Sequence, residues 1–196
     1  MSNMSTNKQN VKISIGSIVC CEETTLLGDI TIGAKTVIHP TAVIDATKGP
    51  VVIGESNLIE ERVHIINTCT QPLIIGSHNV FEVGSHCQSQ HVGDHNVLES
   101  KCRVGSKTLL SNGCVIGAMC CVDCDQLLPE NTVIFGTDCR RRTQNEKPTQ
   151  QTYQLDFLSK ILPNYQRIEK PNFKSNTQTN TAMTTSTSST ASLSPH

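Results

Sequence analysis

The chain has 196 residues, and 16 Lys and Arg against 17 Asp and Glu leave a net charge of -1 with a pI near 6.6. That balance argues against a nucleic-acid binder and against a basic membrane-surface protein. Aromatic residues make up only 3% and Trp is absent, so an aliphatic, repetitive core is expected in place of one built around large rings.

Residues 1–10 are polar throughout and read as a disordered leader without the character of a signal peptide. No apolar run is long enough to cross a bilayer, and the expectation is a cytoplasmic protein. Ten Cys is high for that compartment, and a disulfide framework would need an export signal that is not seen. Their positions suggest packing, because Cys102, Cys114 and Cys120 fall where the pattern below takes small buried side chains. Cys121 and Cys124 have CxxC spacing, but no second such pair exists to complete a structural zinc site.

From residue 11 to 136 aliphatic residues recur every six positions: Leu26, Ile32, Ile38 and Ile44, then Ile53, Ile59 and Ile65, then Ile75 and Phe81. The column continues through Val92, Leu98, Val104, Leu110, Ile116 and Val122. Gly often follows, and a small or β-compatible residue stands four places after the aliphatic, as at Thr36, Asn57, Asn79, Asn96 and Cys114. A period of six fits neither an α-helix nor simple alternation. It fits a left-handed parallel β-helix of hexapeptide repeats, an all-β solenoid in which three short strands and three corners make each coil of about eighteen residues. Roughly seven coils are expected. Asp45–Val52, Asn67–Ile74 and Asp123–Asn131 break the period and read as short loops bulging at corners. Three repeats share a G-x-x-N-[LV]-[ILF]-E unit that ends at Glu60, Glu82 and Glu99. These are expected on the outer surface, either as a solvated face or as a ladder presented to a partner.

Residues 137–151 read as a connector carrying the basic run Arg140–Arg142. Residues 152–165 read as a C-terminal α-helix docking on the prism through Leu155, Leu158 and Leu162, with Phe157 and Ile161 flanking and Pro163 near its end. Residues 166–196, rich in Ser and Thr, read as a disordered tail. In it Ser194-Pro195 is a candidate proline-directed phosphosite.

Two enzyme classes share this architecture. The γ-class carbonic anhydrases hold zinc with three His, and His64, His86 and His91 have suggestive spacing. The register places Ile66, Val83 and Gln88 in the ligand columns, so no catalytic zinc site is expected. Hexapeptide acyltransferases use a His as general base beneath a long extruded loop. His39, His78 and His95 are candidates, but no long loop is present. No catalytic residue, cofactor or metal is therefore assigned.

Val37–Pro40, Ile53–Glu61, Ile75–Gly84, Val97–Lys101, Pro129–Gly136 and above all Leu155–Tyr165 (LDFLSKILPNY) make the chain resemble the dynactin subunit 6 family over roughly residues 10–168. The Asn67–Ile74 loop and the tail depart from that family's pattern. The resemblance implies a non-catalytic scaffold in the pointed-end subcomplex of dynactin, which caps the actin-related filament. The implied partners are dynactin subunit 5, an actin-related protein and a zinc-rich subunit. Dynein and microtubule-based cargo transport are served indirectly, and the location is cytoskeleton-associated.

Overall fold

The structure, a computed structural model, describes residues 10–172. They form a parallel β-solenoid of about seven turns followed by one helix. On the first face the strands Ile18–Val19, Val37–Ile38, Leu58–Ile59, Val80–Phe81, Val97–Leu98, Val115–Ile116 and Thr132–Phe135 stack in register. The other two faces share one eleven-stranded sheet, because Thr25–Ile32 and Val43–Ile53 each run continuously around the corner between them. The second of each residue pair on the first face points inward, so Ile38, Ile59, Phe81, Leu98, Ile116 and Ile134 are fully buried on top of one another. Among the aliphatic columns only Leu26 and the terminal coils are less than fully enclosed. Each buried side chain of this size contributes about 1.5–3 kcal/mol.

The corners require a left-handed backbone. One is turned by Lys35, Ser56, His78, His95, Gly113 and Asn131, the next by Thr41, Arg62, Gly84, Lys101 and Met119, all at positive φ. For residues with a Cβ this costs roughly 1–2 kcal/mol each, and at the first corner the residue that follows offsets it. Asn57, Asn79 and Asn96 follow the first corner and are fully buried. Each side-chain oxygen accepts the backbone N–H of the coil above: Asn79 N to Asn57 Oδ1 at 2.9 Å, Asn96 N to Asn79 Oδ1 at 2.8 Å and Cys114 N to Asn96 Oδ1 at 2.7 Å. Thr36 begins the ladder by accepting from Asn57 N through its hydroxyl at 3.2 Å. These positions, read from the sequence as merely small, supply acceptors for corner N–H groups that neighbouring strands cannot reach.

Gly54 stands where coils touch. A Cβ there would lie 2.6 Å from the Gly76 carbonyl oxygen, closer than any side chain tolerates. Gly28 combines a φ of 89° with backbone contact to Ala46. It marks the register shift by which Thr25–Ile32 accommodates the longer Val43–Ile53 strand. The loop expected at Asp45–Val52 is thus a correction: those residues are strand, extended around the corner and pinned by Thr47 N donating to Asp45 Oδ1 at 2.9 Å. The two other interruptions shrink in the same way, because Leu73–Ile75 and Gln126–Leu128 rejoin the ladder. Buried Asn67 braces the first of these by donating to Pro50 O and Gln71 O at 2.9 and 2.8 Å.

Beyond the last coil, part of the expected connector is a strand. Arg140–Thr143 turns back antiparallel onto Thr132–Phe135, with the Arg140 guanidinium 5.2 Å above the Phe135 ring. The basic side chains are exposed as expected, while their backbone covers one edge of the terminal coil. The helix, Thr152–Tyr165, lies on the outside of the first face. Leu155, Leu158 and Leu162 pack on the outward apolar column Ile18, Val37, Leu58, Val80 and Val97.

After the helix the chain departs from the expected tail. Residues 166–172 return to the first coil: Ile168 bridges Cys20, Cys21 N donates to Arg167 O at 2.8 Å and Glu169 N to Val19 O at 2.9 Å. Asn172 clamps the first strand through three bonds, donating to Ile13 O and Val11 O and accepting from Ile13 N. The polar composition was a poor guide here because this segment is held by backbone pairing to an open strand edge, not by burial. The N-terminal end is consequently covered by the chain's own C-terminal segment. The leader up to residue 9, the tail from residue 173 and Ser194 lie outside the described residues. A chain ending at Tyr165 should melt about 5–10 °C below one ending at Asn172, since several backbone bonds worth about 0.5–1.5 kcal/mol each are lost. Equal melting temperatures by circular dichroism would contradict the clasp.

Candidate functional site

The Glu column follows from the register of the first face. Because Ile59, Phe81 and Leu98 stack, the next residues Glu60, Glu82 and Glu99 stack as well, with His39 beneath them. The structure gives each carboxylate an internal task. Glu60 Oε2 accepts from Val83 N at 3.1 Å, Glu82 Oε2 from Ser100 N and Ser100 Oγ, both at 2.9 Å, and Glu99 Oε2 from Ala118 N at 2.8 Å. The three are half-buried instead of freely exposed. Each satisfies a corner N–H one coil above, as the Asn ladder does on the adjacent corner. Burial raises the Glu60 carboxyl above its ordinary value, with the Val83 bond opposing and Glu82 and Glu61 adding to the rise. Replacing Glu82 by Ala should cost about 1–3 kcal/mol by leaving the Ser100 N–H without its acceptor. Replacement by Gln, which keeps an acceptor, should cost less than half as much. Urea denaturation of the two variants checks the ordering, and equal costs would show that the bond to Ser100 is immaterial.

The histidines divide among different places. His64 and His86 are in register on the second face, with rings stacked at 5.8 Å between centroids. His91 pairs with Ile74 on the third face, so the chain does not bring it together with the other two. Partial burial lowers the His86 pKa, and Arg103 and His64 lower it further. Among the described residues no three His, Cys, Asp or Glu side chains gather as a metal-binding group. His39 is tied down, its Nδ1 2.8 Å from Glu61 Oε1 while Nε2 is buried without a partner. Burial raises the Glu61 carboxyl, but its own backbone N–H and His39 outweigh that, and the net shift is downward. His78 and His95 stack at 4.9 Å on the first corner. Burial is the largest cause lowering the His95 pKa, followed by His78 and Lys147, with Asp94 opposing. His78 faces a groove of about 470 Å³ beside the helix, lined also by Lys35, Ser56, Leu155, Asp156 and Ser159.

Cys102, Cys114 and Cys120 are buried in the small columns after the corners, where they pack as expected. Cys87 fills the aliphatic column between Phe81 and Val92, and burial pushes its thiol up to about 12. Cys121 is exposed, and Cys124 accepts from Gln126 Nε2 at 2.9 Å and Arg141 at 3.2 Å. Every described Cys is a free thiol.

What the described surface offers is a three-sided prism with the helix on one face, its N-terminal end clasped, and one carboxylate oxygen of each Glu in the ladder bonded to the coil above. No family model matches the chain. Curated relatives do. Dynactin subunit 6 of Danio rerio is 50% identical over 177 residues, covering 84% of this chain and 90% of that protein. Dynactin subunit 6 of Xenopus tropicalis is 51% identical, covering 82% and 85%, and that of Caenorhabditis elegans is 35% identical, covering 83% and 91%. Among solved structures, a nominal acetyltransferase of Bacillus cereus matches with a TM-score of 0.64 at 17% identity, covering 78% of this chain and 87% of that one. A hexapeptide transferase family protein of Anaplasma phagocytophilum matches at 0.62 and 14%, covering 79% and 88%. At such identities these two establish the hexapeptide solenoid alone. The sequence relatives span the solenoid and extend past it, and by them this chain belongs to the dynactin subunit 6 family.

Proposed function

We propose that the protein is a non-catalytic scaffold subunit of dynactin, in the pointed-end subcomplex that caps the actin-related filament. In this reading dynactin subunit 5 is its immediate partner, an actin-related protein and a zinc-rich subunit complete the assembly, and dynein is reached indirectly. The protein then works in the cytoplasm, associated with the cytoskeleton, in microtubule-based transport. The observation that carries this is the identity of about 50% to vertebrate dynactin subunit 6 over most of both chains. That alignment, at 177 residues, is longer than the solenoid and so takes in chain that a bare hexapeptide prism does not need.

Acyl transfer, suggested by the fold of the structural neighbours, is the alternative, together with a carbonic anhydrase-like zinc chemistry. The histidine positions weigh against both. His39 has its Nδ1 on Glu61 and its Nε2 enclosed by the protein, and His91 is on a different face from His64 and His86. A general base needs a free ring nitrogen directed at substrate, and a catalytic zinc needs three converging ligands. Co-expression with dynactin subunit 5 tests the proposal: the two chains should elute together in size-exclusion chromatography at a constant ratio. Separate elution at micromolar concentration, with zinc bound stoichiometrically or with turnover of acetyl-coenzyme A, would replace it by the enzymatic reading.

A further inference from the structure

The chain has two Tyr, four Phe and no Trp. Both Tyr and one Phe stand on a single line along the C-terminal helix: Tyr153, Phe157 and Tyr165 are 91%, 59% and 79% exposed, with half-buried Ile161 between the last two. The intervals are all four residues, so these side chains form one i±4 ridge about 18 Å long. A neighbouring stripe of the helix already holds it to the prism, through Leu155, Leu158 and Leu162 on Val37, Leu58 and Val80. Fixing the helix therefore gives no reason for placing rings in solvent. Aromatic side chains are costly to expose and are concentrated in the buried centres of protein interfaces.

We infer that the Tyr153–Phe157–Ile161–Tyr165 ridge is a docking site for an amphipathic α-helix contributed by a different subunit of the assembly. A ridge of this type fits the groove between the i±4 rows of a second helix, the commonest mode of helix packing. The area selects a heterologous partner. Three rings bury about 150–250 Å² each, short of the roughly 800 Å² per partner that a stable stand-alone interface uses, so pairing two copies through this ridge alone leaves too little contact. A subunit held elsewhere in the same assembly does not face that requirement.

This inference rests on membership of dynactin, and the experiment separates the two. Full-length chain carrying a photo-crosslinking benzoylphenylalanine at position 157 is expressed with a tag, dynactin is isolated, and crosslinked peptides are sequenced after irradiation. The expected result is a crosslink to a helical segment of another dynactin subunit. In parallel, a Y153S/F157S/Y165S variant with wild-type circular dichroism should lose at least tenfold of its retention on the complex in a salt wash. A crosslink only to a second copy of this chain, or none while the chain co-purifies with dynactin, overturns the ridge and leaves the dynactin reading standing. Failure of the wild-type chain to co-purify with any dynactin subunit overturns both.

Discussion

Replacing Asn79 by Asp should destabilise the protein at pH 7 by about 4 kcal/mol and do so less as the pH falls. Asn79 is fully enclosed at the centre of a ladder: its amide donates to Asn57 Oδ1 at 3.0 Å, and its oxygen accepts Asn96 N. An ionised carboxylate there would set one oxygen against Asn57 Oδ1. A protonated carboxyl could donate to Asn57 Oδ1 and accept from Asn96 N, much as the amide does. The side chain would therefore hold its proton, and holding it at pH 7 against an unfolded pKa near 3.9 costs about 1.36 kcal/mol for each of roughly three pH units. The sign follows from the raised folded pKa: the unfolded chain releases its proton more readily, so the penalty is full near neutrality and shrinks as pH drops toward about 4. Thermal melts at pH 7 should differ from wild type by about 8–16 °C, and the gap should narrow by more than half at pH 5. A gap that stays constant with pH would mean that the ladder tolerates the charge.

Phe81 carries the second large effect. Among the described residues it is the largest fully buried side chain, and it is the one ring in a column otherwise made of Val19, Ile38, Ile59, Leu98, Ile116 and Ile134. Truncation to Ala should cost about 3–5 kcal/mol, the transfer term plus a cavity that coils locked by ladders above and below cannot close. Phe81→Leu, which restores most of the volume, should cost about 1.5 kcal/mol or less. Denaturant midpoints should order wild type, Phe81→Leu and Phe81→Ala with an unchanged m-value. Equal midpoints for the two variants would show that the core around Phe81 is loosely packed.

The solenoid was legible because its core is one-dimensional. A side chain that must sit above its equivalent one coil below announces itself as a column, and Ile32, Ile38, Ile53, Ile59 and Ile75 do so without any long-range information. The Asn and Glu ladders were visible as a motif but not as bonds. Asn57, Asn79 and Asn96 recur together with Glu60, Glu82 and Glu99, yet period alone does not say whether an oxygen meets solvent or a backbone N–H in the coil above. The left-handed corners at Lys35, Arg62, Lys101 and Met119 had no sequence signal, since these residues adopt positive φ only because the stack imposes it. The return of residues 166–172 to the first coil was hidden for a different reason. Its pairing joins residues about 150 positions apart, such as Cys20 with Ile168, and rests on backbone groups that every residue carries. The helix stripe was readable in Leu155, Leu158 and Leu162, whereas the exposure of Tyr153 and Tyr165 became evident only once the leucine stripe was seen to be docked.

We propose that this prism works by being built into dynactin and not by turning over a substrate. The most direct measurement is density-gradient sedimentation of cell extract containing the tagged chain at native abundance, with quantitative mass spectrometry of each fraction. The expected result is that the chain sediments in one fast peak together with the dynactin subunits, at a fixed ratio that survives a second affinity step. A slowly sedimenting chain, free of dynactin subunits and accompanied by acyltransferase or carbon dioxide hydration activity, would contradict it.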